Sequence, residues 1–166
     1  TVDHGIEFTR AKKFLCDPGI EVALIVRWPE GGILGGRTCD WMVSNVDFLP
    51  TILDLIHIPV PEKIEGESFK GAFDGSRSSP SRDAIFSIFH PMGIRAVRTN
   101  RYKLIRNFEF RRLLEVPADG ENPKTLRQKV PVVQLLDLEE DPLEIENRAE
   151  DPNYSEIVQV LNGRLW

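Results

Sequence analysis

A carboxylate and an imidazole stand side by side near the start of the chain, in Asp3-His4-Gly5. Both side chains can face one cavity, because the glycine after them lets the backbone turn sharply. Oxygen and nitrogen ligands placed in this way can bind one cation together. In the structural alternative, Asp3 caps a turn and His4 is a solvated loop histidine. The tripeptide alone leaves both interpretations open.

Lys12 is the second residue that could do chemistry, and it follows shortly after this pair. A fixed ammonium group can stabilise the negative charge that develops on oxygens during ester cleavage. The structural alternative is that Lys12 and Lys13 are two neighbouring surface lysines, which is the usual environment of this residue type. His57 lies on a predicted apolar helix and is interpreted as structural.

The elements that must position these residues begin with Ile20–Trp28, an apolar and β-branched run that predicts a buried strand. Met42 and Val43 predict a very short strand. Ser44 is expected to cap a helix whose apolar residues recur at helical spacing, namely Val46, Leu49, Ile52, Leu53 and Ile56. This order indicates the edge of an α/β sheet whose other strands lie upstream, so we expect the chain to begin inside a domain.

The second half of the chain predicts a small antiparallel sheet. A short helix is expected near Phe69–Phe73, and Tyr154–Leu165 has the apolar spacing of a helix packed on the sheet. Residues 111–131 predict an irregular excursion that is a candidate functional loop. Four strands are predicted, at Ala84–Phe89, Ile94–Thr99, Tyr102–Phe108 and Val132–Asp137. Asn100-Arg101 is expected to form a tight connection between the second and the third of them.

The predicted fold class is therefore α/β, divided into three parts. Residues 1–60 are expected to be the trailing part of an α/β sheet domain. Residues 61–83, which are rich in Pro, Gly, Ser and charge, are expected to be a connection. Residues 84–166 are expected to form a small α+β subdomain with an antiparallel sheet and a C-terminal helix.

Composition excludes some classes of function. The chain has 166 residues, of which 41% are hydrophobic, enough for one sizeable core or two small ones. Its formal net charge is -5 and its basic and acidic residues are mixed, which argues against nucleic acid as a partner. No apolar run reaches the about 20 residues of a membrane span. The compartment stays open, and so does the oligomeric state, with a homo-oligomer as one option.

The order of further segments along the chain carries a resemblance to a known family. Behind Lys12 come four residues, the acidic Asp17 and the glycine turn at Gly19. Later segments continue the pattern: Arg27-Trp28-Pro29, Asp47-Phe48-Leu49-Pro50-Thr51, Gly66-Glu67-Ser68-Phe69, Arg95-Ala96-Val97-Arg98, Arg101-Tyr102-Lys103-Leu104 and Asp141-Pro142-Leu143-Glu144. On these residues the chain resembles the C-terminal part of a sulfatase of the alkaline-phosphatase superfamily, similar to arylsulfatases and heparan N-sulfatases.

The resemblance implies an enzyme that hydrolyses sulfate monoesters or the N-sulfo groups of amino sugars. Such enzymes use a divalent cation, usually calcium, and a formylglycine made from the first residue of a Cys/Ser-x-Pro-x-Arg motif. By the same resemblance, Asp3 and His4 are metal ligands, and Lys12 stabilises charge on the transferred or leaving group. His90, in the loop before Arg95, is then a substrate-binding residue. The expected partner is a sulfated small molecule or a sulfated sugar.

The resemblance also implies that parts of the site lie elsewhere. Neither Cys16 nor Cys39 begins the nucleophile motif, so we expect the formylglycine upstream and expect the chain alone to be inactive. Calcium prefers about six to eight oxygen ligands, more than this pair can supply. His4 stands where Asn is common, and Glu21 stands where many relatives have Arg. The alternatives are a phosphodiesterase or phosphonate hydrolase of the same superfamily, or a catalytically dead interaction domain.

Overall fold

The structure is a computed structural model in which the described residues form two compact units. One unit contains Thr1–Val2 and Ala23–Ile85, and the other contains Asp3–Val22 and Phe86–Trp166. The described residues are 1–2, 4–6, 11–12, 14–76, 82–89, 93–108, 114–115, 127–128 and 131–166. The predicted division at residues 60 and 83 concerns the domains of a longer protein and stays a prediction.

The first unit is built around helix α2, Phe48–Leu55. A single 3-10 turn, Asn45–Asp47, precedes it, and the short helix α3, Gly71–Asp74, follows later in the unit. The helices predicted after Ser44 and near Phe69–Phe73 are therefore confirmed. Four of the apolar residues that predicted the helix after Ser44 are about half exposed, however: Val46, Leu49, Ile52 and Ile56.

Asp47 is the polar centre of this unit and is 2% exposed. Its carboxylate accepts hydrogen bonds from the backbone amides of Ser44 at 2.7 Å and Glu67 at 2.9 Å. The guanidinium of Arg82 donates to the same carboxylate at 2.6 Å. One side chain thus fixes the start of α2 and ties it to the connection that leads to α3, which satisfies the buried charge.

The predicted strand at Ile20–Trp28 is wrong. Residues Asp17–Ile20 form a short helix, α1, and the residues from Glu21 to Arg27 have no strand partner within the described part of the chain. Trp28 pairs only with Ile33 in an isolated antiparallel bridge, and Ile25 is 85% exposed. β-branched residues favour a strand, but a strand also needs a hydrogen-bonded neighbour. The short strand predicted at Met42 and Val43 is likewise absent from this described segment.

The second unit contains a four-stranded sheet with the order β1-β2-β3-β6. Two further short strands, β4 and β5, pair with each other. The strand bounds are Ile85–Phe89 for β1, Ile94–Arg98 for β2, Tyr102–Asn107 for β3, Leu114–Glu115 for β4, Arg127–Gln128 for β5 and Val133–Asp137 for β6. The four predicted strands are confirmed. The rest of the predicted excursion over residues 111–131 lies largely outside the described residues.

The register of β2 and β3 assigns side chains to the two faces of the sheet. Ala96 pairs with Ile105 and Val97 pairs with Leu104, so alternate pairs point to opposite sides. One face packs on the segment that leads into α1, in a cluster that contains Leu15, Cys16, Ile94, Ala96, Ile105 and Leu136. The other face packs on the C-terminal helix α4, Ser155–Gly163.

Helix α4, Ser155–Gly163, confirms the predicted C-terminal helix. Leu161 and Leu165 are buried, whereas Val160 is 56% exposed. Asp151 caps the preceding 3-10 turn, because its carboxylate accepts the amide of Asn153 at 2.9 Å. Among the described residues, no helix is long and apolar enough to cross a membrane.

Candidate functional site

Two glycines hold the segments around His4 and Lys12 in one loop of the second unit. The amide of Gly5 donates to the carbonyl oxygen of Gly19 at 3.1 Å, and the amide of Ile6 donates to that of Pro18 at 3.2 Å. A Cβ atom on Gly5 would lie 2.0 Å from the Pro18 carbonyl oxygen, and one on Gly19 would lie 2.1 Å from that of Ala11. Only glycine permits so close an approach of the two backbones.

His4 and Lys12 are both carried by this loop. The amide of Lys12 donates to the carbonyl oxygen of Ile6 at 3.2 Å, which fixes the lysine backbone to the residue directly after Gly5. The Nδ1 atom of His4 is 2.6 Å from the carbonyl oxygen of Gly5. His4 is exposed and Lys12 is half-buried. The loop therefore places the backbones of both predicted site residues in one hydrogen-bonded arrangement.

The imidazole of His4 has an arrangement that suits a metal ligand. A carbonyl oxygen can only accept a hydrogen bond, so Nδ1 carries the proton in the contact with Gly5. In the neutral ring the lone pair is then on Nε2, as in metal sites where the other ring nitrogen donates to a backbone carbonyl. Within the described ranges, no three His, Cys, Asp or Glu side chains form a group that could hold a metal. The described residues thus fit one ligand and not a whole site.

Two of the predicted site residues, Asp3 and His90, lie outside the described residues. Their roles as metal ligand and as substrate-binding residue stay predictions, as do those of His4 and Lys12. His57, which was interpreted as structural, is exposed at the end of α2 and has a left-handed backbone conformation with φ of 58°. Such a conformation is uncommon for a residue other than glycine.

A buried charge network anchors the loop to the sheet, and the sequence analysis missed it. Lys103 on β3 is fully buried, and its ammonium group contacts the carboxylates of Asp17 and Glu144. The other oxygen of Glu144 accepts the backbone amide of Asp17 at 2.6 Å. The guanidinium of Arg98 on β2 donates to both oxygens of Asp17, at 3.3 and 3.2 Å. These contacts fix the first residue of α1, directly before Pro18 and Gly19.

The charges of this network reinforce one another. Burial acts to raise the pKa of Asp17, but hydrogen bonding to Lys103 and then to Arg98, together with their positive charges, outweighs burial and holds that pKa below its usual value. Glu144 has a left-handed backbone with φ of 58°, a strained conformation that persists only when its surroundings impose it. The sequence signal for the network was weak, because Lys103 is separated from Glu144 by 41 positions.

One string in the sequence fits the nucleophile motif and was also missed. Ser78-Ser79-Pro80-Ser81-Arg82 has the Ser-x-Pro-x-Arg pattern. Its first four residues lie outside the described part of the chain. Arg82 itself is bound to the buried carboxylate of Asp47, in the first unit. The arginine of the string therefore helps to hold the start of α2 in place.

Comparison with known proteins places these features in a family. Residues 5–166 match the family model described as N-sulphoglucosamine sulphohydrolase, C-terminal. An ulvan-active sulfatase of Formosa agariphila is 30% identical to the chain over 186 residues, covering 98% of this chain and 31% of the relative. The human N-sulphoglucosamine sulphohydrolase is 24% identical over 204 residues, covering 99% of this chain and 39% of the relative.

A solved structure shares the fold. The structure of BT4656 in complex with its substrate D-glucosamine-2-N,6-O-disulfate matches with a TM-score of 0.68 and 24% identity, covering 92% of this chain and 28% of that one. The chain spans about a third of the length of the curated relatives named above. The α/β fold class and the sulfatase resemblance are both confirmed. The chain belongs to the N-sulphoglucosamine sulphohydrolase C-terminal family of the sulfatases.

Proposed function

We propose that the protein containing this chain hydrolyses sulfate monoesters or N-sulfo groups of sulfated sugars. The observation that carries the proposal is the family match over residues 5–166, which includes Lys12 and the loop around Gly5 and Gly19. The named sulfatase relatives support a sulfated sugar as the substrate class. In this protein the chain supplies part of the site, and other parts of the protein supply the rest.

Asp3 and His4 contribute two ligands to a divalent cation, with calcium as the expected ion. The Nδ1 contact of His4 supports this role, because it orients the ring and leaves the lone pair on Nε2. A bound divalent cation supplies charge stabilisation to an oxygen of the sulfuryl group. The remaining ligands come from outside the chain, since a calcium ion binds about six to eight oxygen ligands.

Lys12 stabilises the negative charge that develops on the sulfuryl and leaving oxygens. Its half-buried position and the hydrogen bond from its backbone to Ile6 support this role, because a fixed charge stabilises a transition state better than a mobile one. His90 contacts the sulfate or the sugar of the substrate. The role of Lys12 requires the loop around Gly5 and Gly19 to keep its place.

The nucleophile is a formylglycine outside the 166 residues. The string Ser78–Arg82 is the only part of the printed sequence that fits the motif, and its arginine is engaged with Asp47. An arginine that neutralises a buried carboxylate is not available to orient a nucleophile beside it. We therefore expect the chain alone to be inactive.

The test compares sulfate and phosphonate esters with the same leaving group. The full-length protein is assayed with 4-nitrophenyl sulfate and 4-nitrophenyl phenylphosphonate, with and without a chelator of divalent cations. We expect a higher kcat/KM for the sulfate and loss of activity on chelation that added calcium restores. A preference for the phosphonate would identify a phosphonate hydrolase instead. No turnover of either ester, together with no metal uptake, would identify a catalytically dead interaction domain.

A further inference from the structure

Two arginines face each other across β2 and β3. Arg95 and Arg106 are directly opposed in the register of the two strands. Like charges placed opposite each other destabilise a sheet unless something neutralises them. Within the described part of the chain, neither guanidinium pairs with a carboxylate. By contrast, carboxylates neutralise the arginines Arg82, Arg98, Arg101 and Arg148.

Both guanidinium groups are held against one aromatic ring. Arg95 lies 5.0 Å and Arg106 lies 5.4 Å from the centre of the Phe108 ring. Stacking on a ring leaves the edges of a guanidinium, which carry its N–H donors, to meet other groups. Arg106 donates through Nη1 to Asn162 on α4 at 2.6 Å, and its Nε atom is buried and has no hydrogen-bond partner among the residues that the structure describes. The Phe108 ring therefore positions both guanidinium groups, and some of their N–H donors are left to bind another group.

An exposed tryptophan extends this surface. Trp166 meets Phe108 edge to face, with 5.1 Å between ring centres, and is 80% exposed. Arg95 is exposed as well. The amide of Phe108 donates to the carbonyl oxygen of Gly93 at 3.0 Å, so these groups lie at the end of the sheet where β2 begins. Arg95, Arg106, Phe108 and Trp166 are called the arginine-aromatic surface below.

We propose that the arginine-aromatic surface binds a sulfated sugar chain. A guanidinium group can donate two parallel hydrogen bonds to a pair of oxygens of a sulfate or carboxylate group, and an exposed indole ring gives the apolar face of a sugar a surface to pack on. The choice of ligand rests on the proposed function. Nucleic acid is disfavoured as the occupant, because the chain carries a net charge of -5 and the surface offers one pair of cations rather than a basic stripe.

The experiment measures binding of a heparin decasaccharide to the full-length protein by isothermal titration calorimetry, with a chelator present to prevent turnover. Arg95→Gln and Trp166→Ala each remove one side of the surface, and each is expected to raise Kd about fivefold or more. Arg27→Gln is the matched control, because Arg27 is an exposed arginine of the other unit. It removes the same charge and is expected to leave Kd within about twofold.

Two results would overturn the proposal. One is equal loss of binding in Arg95→Gln and Arg27→Gln, which would indicate a general charge effect. The other is tighter binding of a thymidine oligonucleotide of the same charge than of the decasaccharide, with the same dependence on Arg95. Turnover of 4-nitrophenyl sulfate by the unaltered protein is measured separately. Its absence would contradict the proposed function, whereas the binding comparison tests the surface itself.

Discussion

The backbone amide of Gly5 donates a hydrogen bond to the carbonyl oxygen of Gly19 at 3.1 Å. This contact joins the segment that carries His4 to the turn after Asp17, and Asp17 is in turn fixed by Lys103 and Arg98. His4 and Lys12 are therefore connected to the sheet through a turn and a buried charge network. Their positions depend on contacts that are remote from them along the chain.

A methyl group at Gly5 should displace this loop. In Gly5→Ala the new Cβ would lie 2.0 Å from the Pro18 carbonyl oxygen, so the backbones must separate. A displacement of about 1 Å in a catalytic group can reduce activity about 100-fold, and we expect kcat/KM for a sulfate ester to fall by that order. Gly163→Ala is the control, because its new Cβ would meet no atom within 4 Å apart from the adjacent residues and the backbone of its own helix. Equal activity in the two variants would show that the Gly5 contact does not position the site.

Removal of the buried ammonium group of Lys103 should destabilise the protein strongly. Lys103→Met leaves the carboxylate of Glu144, which is 1% exposed, and that of Asp17 without their shared cation. We expect the free energy of unfolding in urea to fall by about 3 to 5 kcal/mol. Lys70→Met should cost less than about 1 kcal/mol, because the ammonium of Lys70 lies 3.8 and 3.6 Å from partly exposed carboxylates. Similar losses in both variants would contradict the importance of the network.

How far the sequence predicted the structure depended on the range of the interactions. The hairpin of β2 and β3 was predictable because its alternation is local, whereas the strand expected at Ile20–Trp28 failed because pairing depends on a neighbour. The role of Lys103 was not predictable, since its sequence neighbours do not reveal that Asp17, 86 positions away, neutralises it. Lysine is normally exposed, and only the fold shows this exception.

Acid should weaken the fold through Asp137. Hydrogen bonding to Arg101 lowers the pKa of this carboxyl group, against the opposing effect of burial. The folded pKa is then below the unfolded value of about 3.9. The stabilisation is therefore fully present above about pH 4 and is lost as pH falls through the folded pKa.

The measurement is the urea midpoint between about pH 5 and pH 2, for the unaltered protein and for Asp137→Asn. We expect the variant to be less stable at pH 5 and to lose less stability on acidification. Asp40→Asn, at an exposed position, should keep the pH dependence of the unaltered protein. An unchanged pH profile in Asp137→Asn would refute the assignment.

Ser78 should be dispensable for activity although it begins a Ser-x-Pro-x-Arg string. The arginine of that string is bound to Asp47, which is 2% exposed. We expect Ser78→Ala to retain kcat within about twofold, because the arginine of the string is engaged with Asp47 and the proposed nucleophile is a formylglycine outside this chain. Mass spectrometry of the same preparation should find unmodified serine at this position. Formylglycine at Ser78, or loss of activity in Ser78→Ala, would place the nucleophile inside this chain.

The central claim is that Lys12 acts in sulfate hydrolysis by the full-length protein, and sulfate release from D-glucosamine N-sulfate tests it most directly. The sulfate is measured by ion chromatography for the unaltered protein, Lys12→Ala and Lys13→Ala. We predict release by the unaltered protein, a fall in kcat of about 100-fold or more in Lys12→Ala, and near-full activity in the neighbouring Lys13→Ala. Equal activity of the two variants, or no sulfate released by the unaltered protein from this sugar or from 4-nitrophenyl sulfate, would contradict the account.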